Sequence, residues 1–286
     1  LLDSGTKQLQ AAGFGARSGF LSSSTVGGGS WLAHASTLSG LYISNQQRYR
    51  TLTSSNRLTL TSAFRKAGWN TVSVEPEIDR AWPEGRFYGY EKDYDLRNLG
   101  YQGPRFSYAT MPDQYTYSKF QQAERQPGHA PLFAEITTVS SHSPWTPIPT
   151  MVDWDKIGDG SIFNDPTLQR GGSPGSVVGN KDVLRASYIN SIKYSLTALI
   201  SYVQRYGDKN LVLVFLGDHQ PSPVLTGKTT RDVPITIVAA DPTVLAKVSS
   251  WNWTPGLRPA RTAPVWRMDT FRNKFMTAYG STPESR

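Results

Sequence analysis

The stretch Leu211-Val-Leu-Val-Phe-Leu-Gly-Asp-His-Gln-Pro221 decides the fold. Its short run of branched apolar residues is typical of a strand that is buried on both faces. Gly217 ends the run and places Asp218 and His219 at the carboxyl end of the strand, where open α/β sheets bind ligands. A carboxylate oxygen and an imidazole nitrogen are common donors for zinc or manganese. The stretch indicates either a metal site or a strand that ends in a polar turn, with His219 capping a neighbouring group.

Helical and strand patterns alternate around this stretch, each with its own period. Helices are predicted over residues 58–68, 187–205 and 265–278, and strands over 69–75, 132–139 and 233–240. Pro234 favours a sheet edge or a strand start for the last of these strands. The order predicts an α/β fold, an α/β/α sandwich with a mixed, mainly parallel central sheet.

The composition narrows the class of protein. The chain has 286 residues, 38% of them apolar, which is enough for a substantial core. Its net charge of +8 is scattered, without a run of five like charges, and favours an anionic substrate or surface over nucleic acid. The sequence contains no cysteine, which excludes disulfides, thiolate metal sites and cysteine nucleophiles. No apolar run approaches the roughly 18 residues that span a bilayer, and we find no signal peptide.

A second candidate group lies at Gly28-Gly29-Ser30. Residues 31–41 carry apolar side chains every three residues, so Ser30 stands at the start of a predicted helix. Glycine-rich backbone ahead of a helix binds anions, because free N–H groups and the helix dipole point at them. Ser30 either caps the helix or acts as a nucleophile whose alkoxide is stabilised by the helix end and a metal.

A third candidate group follows another strand. His142 lies just past the predicted strand 132–139, and two strand-end histidines of one parallel sheet should face the same crevice. The alternative is a solvated loop histidine. Residues 76–118 are rich in Pro, Gly and Tyr, without clear periodicity, and include Trp82 and Arg86. They indicate either a substrate-shaping insertion or a packed surface loop.

These segments together resemble the sulfatase-like branch of the alkaline phosphatase superfamily, of the lipoteichoic acid synthase and phosphoethanolamine transferase type. The resemblance rests on four segments: the nucleophile turn at Gly28-Gly29-Ser30, the loop Ser141-His142-Ser-Pro-Trp145, the block Tyr188-Ile-Asn-Ser-Ile-Lys-Tyr194 with Gly217-Asp218-His219, and a looser Trp/Arg segment at Trp82 through Tyr90. It spans residues 19–240 and implies an alkaline-phosphatase-like fold.

The resemblance also implies roles for individual residues. Ser30 would attack phosphorus and carry a covalent intermediate, while His142 would protonate the leaving oxygen or bind the substrate phosphate. Asp218, His219 and Ser30 would hold one divalent metal, Mn or Zn, with Mg possible. The implied substrate-binding residues are Arg86, Trp82 and Gly29.

The expected function is that of a metal-dependent phosphoryl-group transferase acting on a phospholipid or a cell-envelope glycan. The alternatives are a phosphate- or sulfate-ester hydrolase with the same site, and a non-catalytic envelope-binding module. We expect a monomer without nucleic-acid partners, on the outer face of the cytoplasmic membrane and anchored by N-terminal spans of a longer polypeptide.

The domain organisation is expected to be one catalytic domain over residues 1–280 and a flexible tail over 281–286. Relatives carry an acidic metal ligand at the end of a strand well ahead of the nucleophile. Because Ser30 lies so near the start of the sequence, we expect no strand before it, and hence one strand and one metal ligand fewer than in the family.

Overall fold

The computed structural model describes residues 1–177, 179–227 and 230–281. By internal contacts the chain divides into two compact units. Unit 1 comprises Leu1–Ala63 and Gly207–Arg286, and unit 2 comprises Phe64–Tyr206. Of the predicted tail, residues 282–286 lie outside the described residues.

Helices and strands alternate along the chain, as the sequence predicts. The helices are α1 (Leu2–Ala11), α2 (Ser30–Ser39), α3 (Gln46–Thr53), α4 (Leu60–Lys66), α5 (Gly85–Tyr88), α6 (Asp113–Glu124), α7 (Pro174–Val177), α8 (Lys181–Tyr206), α9 (Pro223–Thr226), α10 (Pro242–Ala246) and α11 (Phe271–Tyr279). The strands are β1 (Gly15–Ser22), β2 (Asn70–Glu75), β3 (Lys92–Asp95), β4 (Leu132–Ile136), β5 (Ile148–Pro149), β6 (Gln169–Arg170), β7 (Val212–Leu216), β8 (Asp232–Ala239), β9 (Thr254–Pro255) and β10 (Val265–Arg267).

Within the described ranges, unit 1 contains a five-stranded sheet of order β10-β1-β8-β7, with β9 also paired to β1. β1 and β7 are antiparallel to β8, and β10 is parallel to β1, so the sheet is mixed. Leu21, Ile235 and Ile237 are completely buried, which places the core of unit 1 against this sheet. The prediction that Pro234 marks a sheet edge is wrong, because β8 pairs on both sides. Pro234 is the third residue of β8, so the alternative of a strand start describes its place.

β1 corrects the expectation that no strand precedes Ser30, because it ends eight residues before that serine. Its glycine, alanine and serine residues give it weak strand propensity. Backbone pairing with β8 on one side, and with β9 and β10 on the other, stabilises β1 as a strand despite this weak propensity. β1 ends at Ser22 without an acidic residue.

Two further sequence predictions for unit 1 need correction. β7 is not buried on both faces: it ends the strand order of its sheet, Val212 is 42% exposed, and the other residues of β7 are half-buried. The helix predicted over 265–278 begins later, because Val265–Arg267 pair with Phe20–Ser22 as a strand. Trp266 of this strand packs on Trp251 and Trp253, with ring centroids 5.0 and 5.2 Å apart.

Unit 2 contains, among its described residues, a three-stranded sheet of order β3-β2-β4 in which every pairing is parallel. The long helix α8 packs on α6 and begins at Lys181, earlier than the prediction of 187–205. Its buried face includes Tyr194, Leu199 and Val203, while Ile189 is 45% exposed. The prediction that residues 76–118 are irregular is wrong in part. The segment contains α5 and β3, and α6 begins within it at Asp113. The strands and helices of both units confirm the predicted α/β class.

Asp113 is a buried carboxylate that fixes the backbone ahead of His142. Its Oδ1 accepts hydrogen bonds from the N–H groups of Val139 and Ser140, both at 2.9 Å, and its Oδ2 accepts one from the Ser195 hydroxyl at 2.6 Å. Burial raises the pKa of Asp113 above its ordinary value of 3.8, while these hydrogen bonds act in the opposite direction.

Replacing Asp113 with alanine is therefore expected to lower the free energy of unfolding by about 3 kcal/mol or more, because two buried N–H donors lose their acceptor. Asp113→Asn is the matched control, since an amide keeps one oxygen for Val139 and Ser140 and can donate to Ser195. A carboxyl with a raised pKa binds its proton more tightly in the folded state, so the wild type loses stability as pH rises from about 4 through that raised pKa. Urea titrations should show a larger loss in the wild type than in Asp113→Asn, because the raised pKa of Glu77 contributes equally to both proteins. Equal pH profiles would contradict the assignment.

Candidate functional site

Ser30 is the first residue of α2 but does not cap it. The N-cap residue is Gly29, in the left-handed region with φ 82° and ψ 37°, and no side chain accepts a capping hydrogen bond there. A side chain at position 29 would be strained by this backbone, so the turn requires glycine. The Ser30 hydroxyl instead lies 3.4 Å from Nε2 of His219. The capping alternative is therefore wrong.

Hydrogen bonds join the segment after β1 to the segment after β7 in unit 1, and they place Ser30 beside His219. The Ser23 hydroxyl donates to the carbonyl of Asp218 at 2.6 Å, and the N–H of Gly27 donates to the carbonyl of Gln220 at 2.8 Å. The first contact lies at the end of β1 and the second lies in the glycine turn. Both contacts hold the start of α2 beside the segment that follows β7.

Hydrogen bonds orient the side chains of Asp218 and His219. The ring Nδ1 of His219 lies 2.8 Å from the carbonyl of Gln220. Since a carbonyl only accepts, Nδ1 carries the proton and Nε2 keeps its lone pair. Oδ1 of Asp218 accepts from the N–H of His219 at 2.9 Å, while Oδ2 lies 3.3 Å from Nε2 of His219. The His219 side chain is 17% exposed and that of Asp218 is 35% exposed, so both are accessible.

These side chains present three donor atoms that suit a metal ion: Oδ2 of Asp218, Nε2 of His219 and Oγ of Ser30. Zinc bonds of 2.0–2.1 Å arranged as a tetrahedron place neighbouring donor atoms about 3.3 Å apart. The observed separations of 3.3 Å and 3.4 Å agree with that spacing. The bond from Nδ1 of His219 to a backbone carbonyl is the support that metal-binding histidines usually have. The residues therefore fit a divalent metal.

His142 of unit 2 lies in the loop after β4, as predicted. The expectation that it shares one parallel sheet with His219 is wrong, because β4 pairs within the sheet of unit 2, and β7 is antiparallel to its neighbour in the sheet of unit 1. Its Nδ1 donates to the carbonyl of Ser143 at 2.7 Å, which leaves Nε2 for a ligand. Its ring stacks on Tyr108, with centroids 3.7 Å apart and planes inclined by 17°. Near this stack, Glu77 accepts from the N–H of Thr110 at 2.7 Å, and burial raises the pKa of Glu77. Tyr108 and Glu77 were not predicted as site residues. The aromatic content of residues 76–118 was the available signal for Tyr108, and the sequence offers none for Glu77.

Trp82 and Arg86 occupy a separate place in unit 2. The Trp82 ring stacks on Tyr88 with centroids 5.8 Å apart. Arg86 lies on the short helix α5, is exposed, and forms no ion pair in the part of the chain that the structure describes. Within the same described residues, no hydrogen bond or ring contact joins His142 to either side chain.

Tyr108→Ala should release the His142 ring from its stack. Ring current from the tyrosine displaces the His142 proton resonances, so in the variant these should move toward the positions of a solvated histidine. Stability should fall by about 1 kcal/mol, because a stacked aromatic pair contributes about that much. Tyr108→Phe keeps the ring and is the matched control. Proton NMR can follow the His142 ring directly, because the chain has only four histidines and their signals can be told apart. His142 resonances that are identical in both variants would contradict the stack.

Comparisons with known proteins define the class. The Sulfatase family model matches residues 4–232, and the chain therefore belongs to the sulfatase family. A search of curated proteins gave no match.

Three solved structures share the fold. The lipoteichoic acid synthase LtaP from Listeria monocytogenes is 16% identical, with a TM-score of 0.58 over 98% of this chain and 67% of that one. The phosphoglycerol transferase GacH from Streptococcus pyogenes, in complex with sn-glycerol-1-phosphate, is 14% identical, with a TM-score of 0.57 over 98% and 75%. The C-terminal periplasmic domain of EptC from Escherichia coli is 14% identical, with a TM-score of 0.58 over 96% and 75%, and another structure of that domain is a zinc complex.

The predicted alkaline-phosphatase-like fold and sulfatase-like family are confirmed by these matches. Among the described residues, the structure contains no helix with the length and apolar character needed to cross a bilayer.

Proposed function

We propose that this chain is a metal-dependent phosphoryl-group transferase that acts on a phospholipid or cell-envelope glycan through a phosphorylated Ser30. The observation that carries the proposal is the placement of the Ser30 hydroxyl 3.4 Å from Nε2 of His219, beside Asp218. Similar structures include a lipoteichoic acid synthase and a phosphoglycerol transferase, which supports a phosphodiester donor and an envelope acceptor.

Ser30 is suited to nucleophilic attack by its position. It stands at the start of α2, where N–H groups without helical partners favour negative charge on a bound phosphoryl group. In the first step the Ser30 oxygen bonds to phosphorus, the phosphorus bond to the donor alcohol breaks, the Ser30 proton passes to water, and the leaving alkoxide takes up a proton. In the second step the acceptor oxygen bonds to phosphorus and the bond between phosphorus and the Ser30 oxygen breaks. The acceptor hydroxyl loses its proton to water, and the Ser30 oxygen takes up a proton, which restores the hydroxyl.

Asp218, His219 and Ser30 would hold the metal, with zinc or manganese as the expected ions. When bound, the metal would lower the pKa of the nucleophile and neutralise charge on the phosphoryl oxygens. Asp218 contributes a negative charge that attracts the cation. His219 is held in the required tautomer by the carbonyl of Gln220.

The proposal also gives roles to single residues outside this group. Gly29 supplies turn backbone for an anion. His142 donates a proton or binds phosphate, while Arg86 and Trp82 bind substrate. Because the EptC domain is described as periplasmic, we place this chain outside the cytoplasm as well, at the outer face of the cytoplasmic membrane.

The test compares acceptors and donors in one assay. The purified chain, supplied with zinc or manganese, is incubated with a glycerophosphoryl diester or a phosphomonoester, with and without a polyol acceptor, and the products are followed by ³¹P NMR. We expect cleavage of the diester and transfer to the polyol. Release to water at an equal rate, with the monoester as good a substrate, would show a hydrolase. No turnover of any ester would favour the non-catalytic alternative.

A further inference from the structure

Unit 2 contains a cavity of about 490 Å³ that the proposed phosphoryl-transfer residues do not use. Trp145 and Thr146 of the His142 loop form buried walls, together with Tyr194 of α8. Arg170 of β6 and Lys193 of α8 line the cavity with exposed side chains. Its volume lies in the range of sites for small molecules.

Helix α8 contributes one face to this cavity. Asn190, Lys193, Tyr194 and Thr197 all line it, and their spacing of three, four and seven residues puts them on the same side of the helix. The Tyr-x-Asn-x-Ile-x-Tyr block of the sequence thus provides three cavity-lining residues, Asn190, Lys193 and Tyr194. Asn190 adds an amide to the hydroxyl of Thr197, while the hydroxyl of Tyr194 is itself buried.

The charged side chains that line the cavity are all positive. No carboxylate among the described residues lines it, while Arg170 and Lys193 both do. Arg170 donates through Nε to the Thr150 hydroxyl at 3.0 Å, and neither cation forms an ion pair within residues 1–177, 179–227 and 230–281. Two unpaired cations without a neighbouring acid attract an anion, and the planar guanidinium suits the oxygens of a phosphate.

We propose that this cavity binds a phosphorylated polyol or sugar unit of the envelope polymer, an inference that rests on the proposed transferase function. Arg170 and Lys193 bind the phosphate. Asn190 and Thr197 hydrogen-bond to the hydroxyl groups of the same unit. The Trp145 ring offers an apolar surface for its carbon skeleton. The cavity thus holds the polymer through a unit other than the one that reacts.

Isothermal titration calorimetry tests the site on the Ser30→Ala protein, so that no turnover contributes heat. The probes are glycerol 3-phosphate and glucose 6-phosphate, with glycerol and glucose as neutral counterparts. We expect each phosphate probe to bind with a Kd of about 1 mM or tighter, and the tighter of the two identifies polyol or sugar as the unit. Arg170→Met/Lys193→Met should weaken this binding at least about tenfold. Lys181→Met removes a positive charge elsewhere on α8 and should bind as the parent does.

The inference is overturned if neither phosphate binds, if the neutral probes bind as tightly, or if the double variant equals Lys181→Met. If the chain with Ser30 transfers phosphoryl groups, but Arg170→Met/Lys193→Met leaves phosphate binding unchanged, the cavity site is rejected and the transferase proposal stands. Binding that is lost in the double variant of a protein that turns over no ester supports the site and rejects the transferase. The two proposals therefore fail separately.

Discussion

Ser30→Ala is expected to lower kcat for phosphoryl transfer by about 10³-fold or more, because removal of a nucleophile leaves only binding and electrostatic contributions. KM should change little, since Ser30 forms its bond to phosphorus after the substrate is bound. Stability should stay within about 0.5 kcal/mol of the wild type, because Ser30 makes no capping hydrogen bond whose loss would destabilise α2. Steady-state kinetics and urea unfolding of the same preparation measure both quantities.

Ser30→Thr is the matched control for this result. It keeps the hydroxyl on the same carbon and should retain measurable transfer. The account is contradicted if Ser30→Ala keeps more than about a tenth of the wild-type kcat. It is also contradicted if stability falls as far as activity, since Ser30 would then have a structural role.

Asp218→Asn should weaken zinc binding by at least about 100-fold, a larger loss than is typical when a supporting residue of a metal ligand is changed. The variant amide keeps an oxygen for the N–H of His219. It presents a neutral group where Oδ2 lay 3.3 Å from Nε2 of His219, and so loses the charge that attracts the cation. Competition with a chromophoric chelator measures the affinity directly, and transfer activity should fall in parallel.

Asp3→Asn is the matched control for metal binding. Asp3 carries the same charge in the same unit but pairs with Arg258 on the surface at 2.7 Å, where an ion pair contributes little to stability. We expect the Asp3 variant to bind zinc as the wild type does. Equal zinc affinity in the two variants would show that Asp218 is not a ligand.

The sequence predicted the strand before Asp218 and its end, although not the exposure of that strand, because the signal for a strand is local. A short branched apolar run followed by Gly217 indicates a strand and its end without reference to the rest of the chain. The role of Ser30 was harder to predict, because a glycine turn before a helix is equally typical of a capping residue and of a nucleophile. The left-handed backbone of Gly29 and the 3.4 Å separation of the Ser30 hydroxyl from Nε2 of His219 exclude the cap, and both are properties of the folded chain. The nucleophile role is the one that we propose.

The features that the sequence did not reveal depend on distant partners. β1 and β10 have little strand signal of their own and are formed by mutual pairing and by β8. Tyr108 lies 34 positions before His142, and no periodic pattern links a ring to a histidine that far along the chain. Such contacts arise from tertiary packing, which overrides weak local preference.

The covalent intermediate provides the most direct test of the central claim. The wild-type chain, with zinc or manganese and a glycerophosphoryl diester, is quenched during turnover and digested, and the peptide that contains Ser30 is examined by mass spectrometry. We predict that this peptide carries the transferred phosphoryl group on Ser30 and that the label disappears when acceptor is added. An unlabelled Ser30 peptide during active turnover, or a label on another residue, would contradict the account.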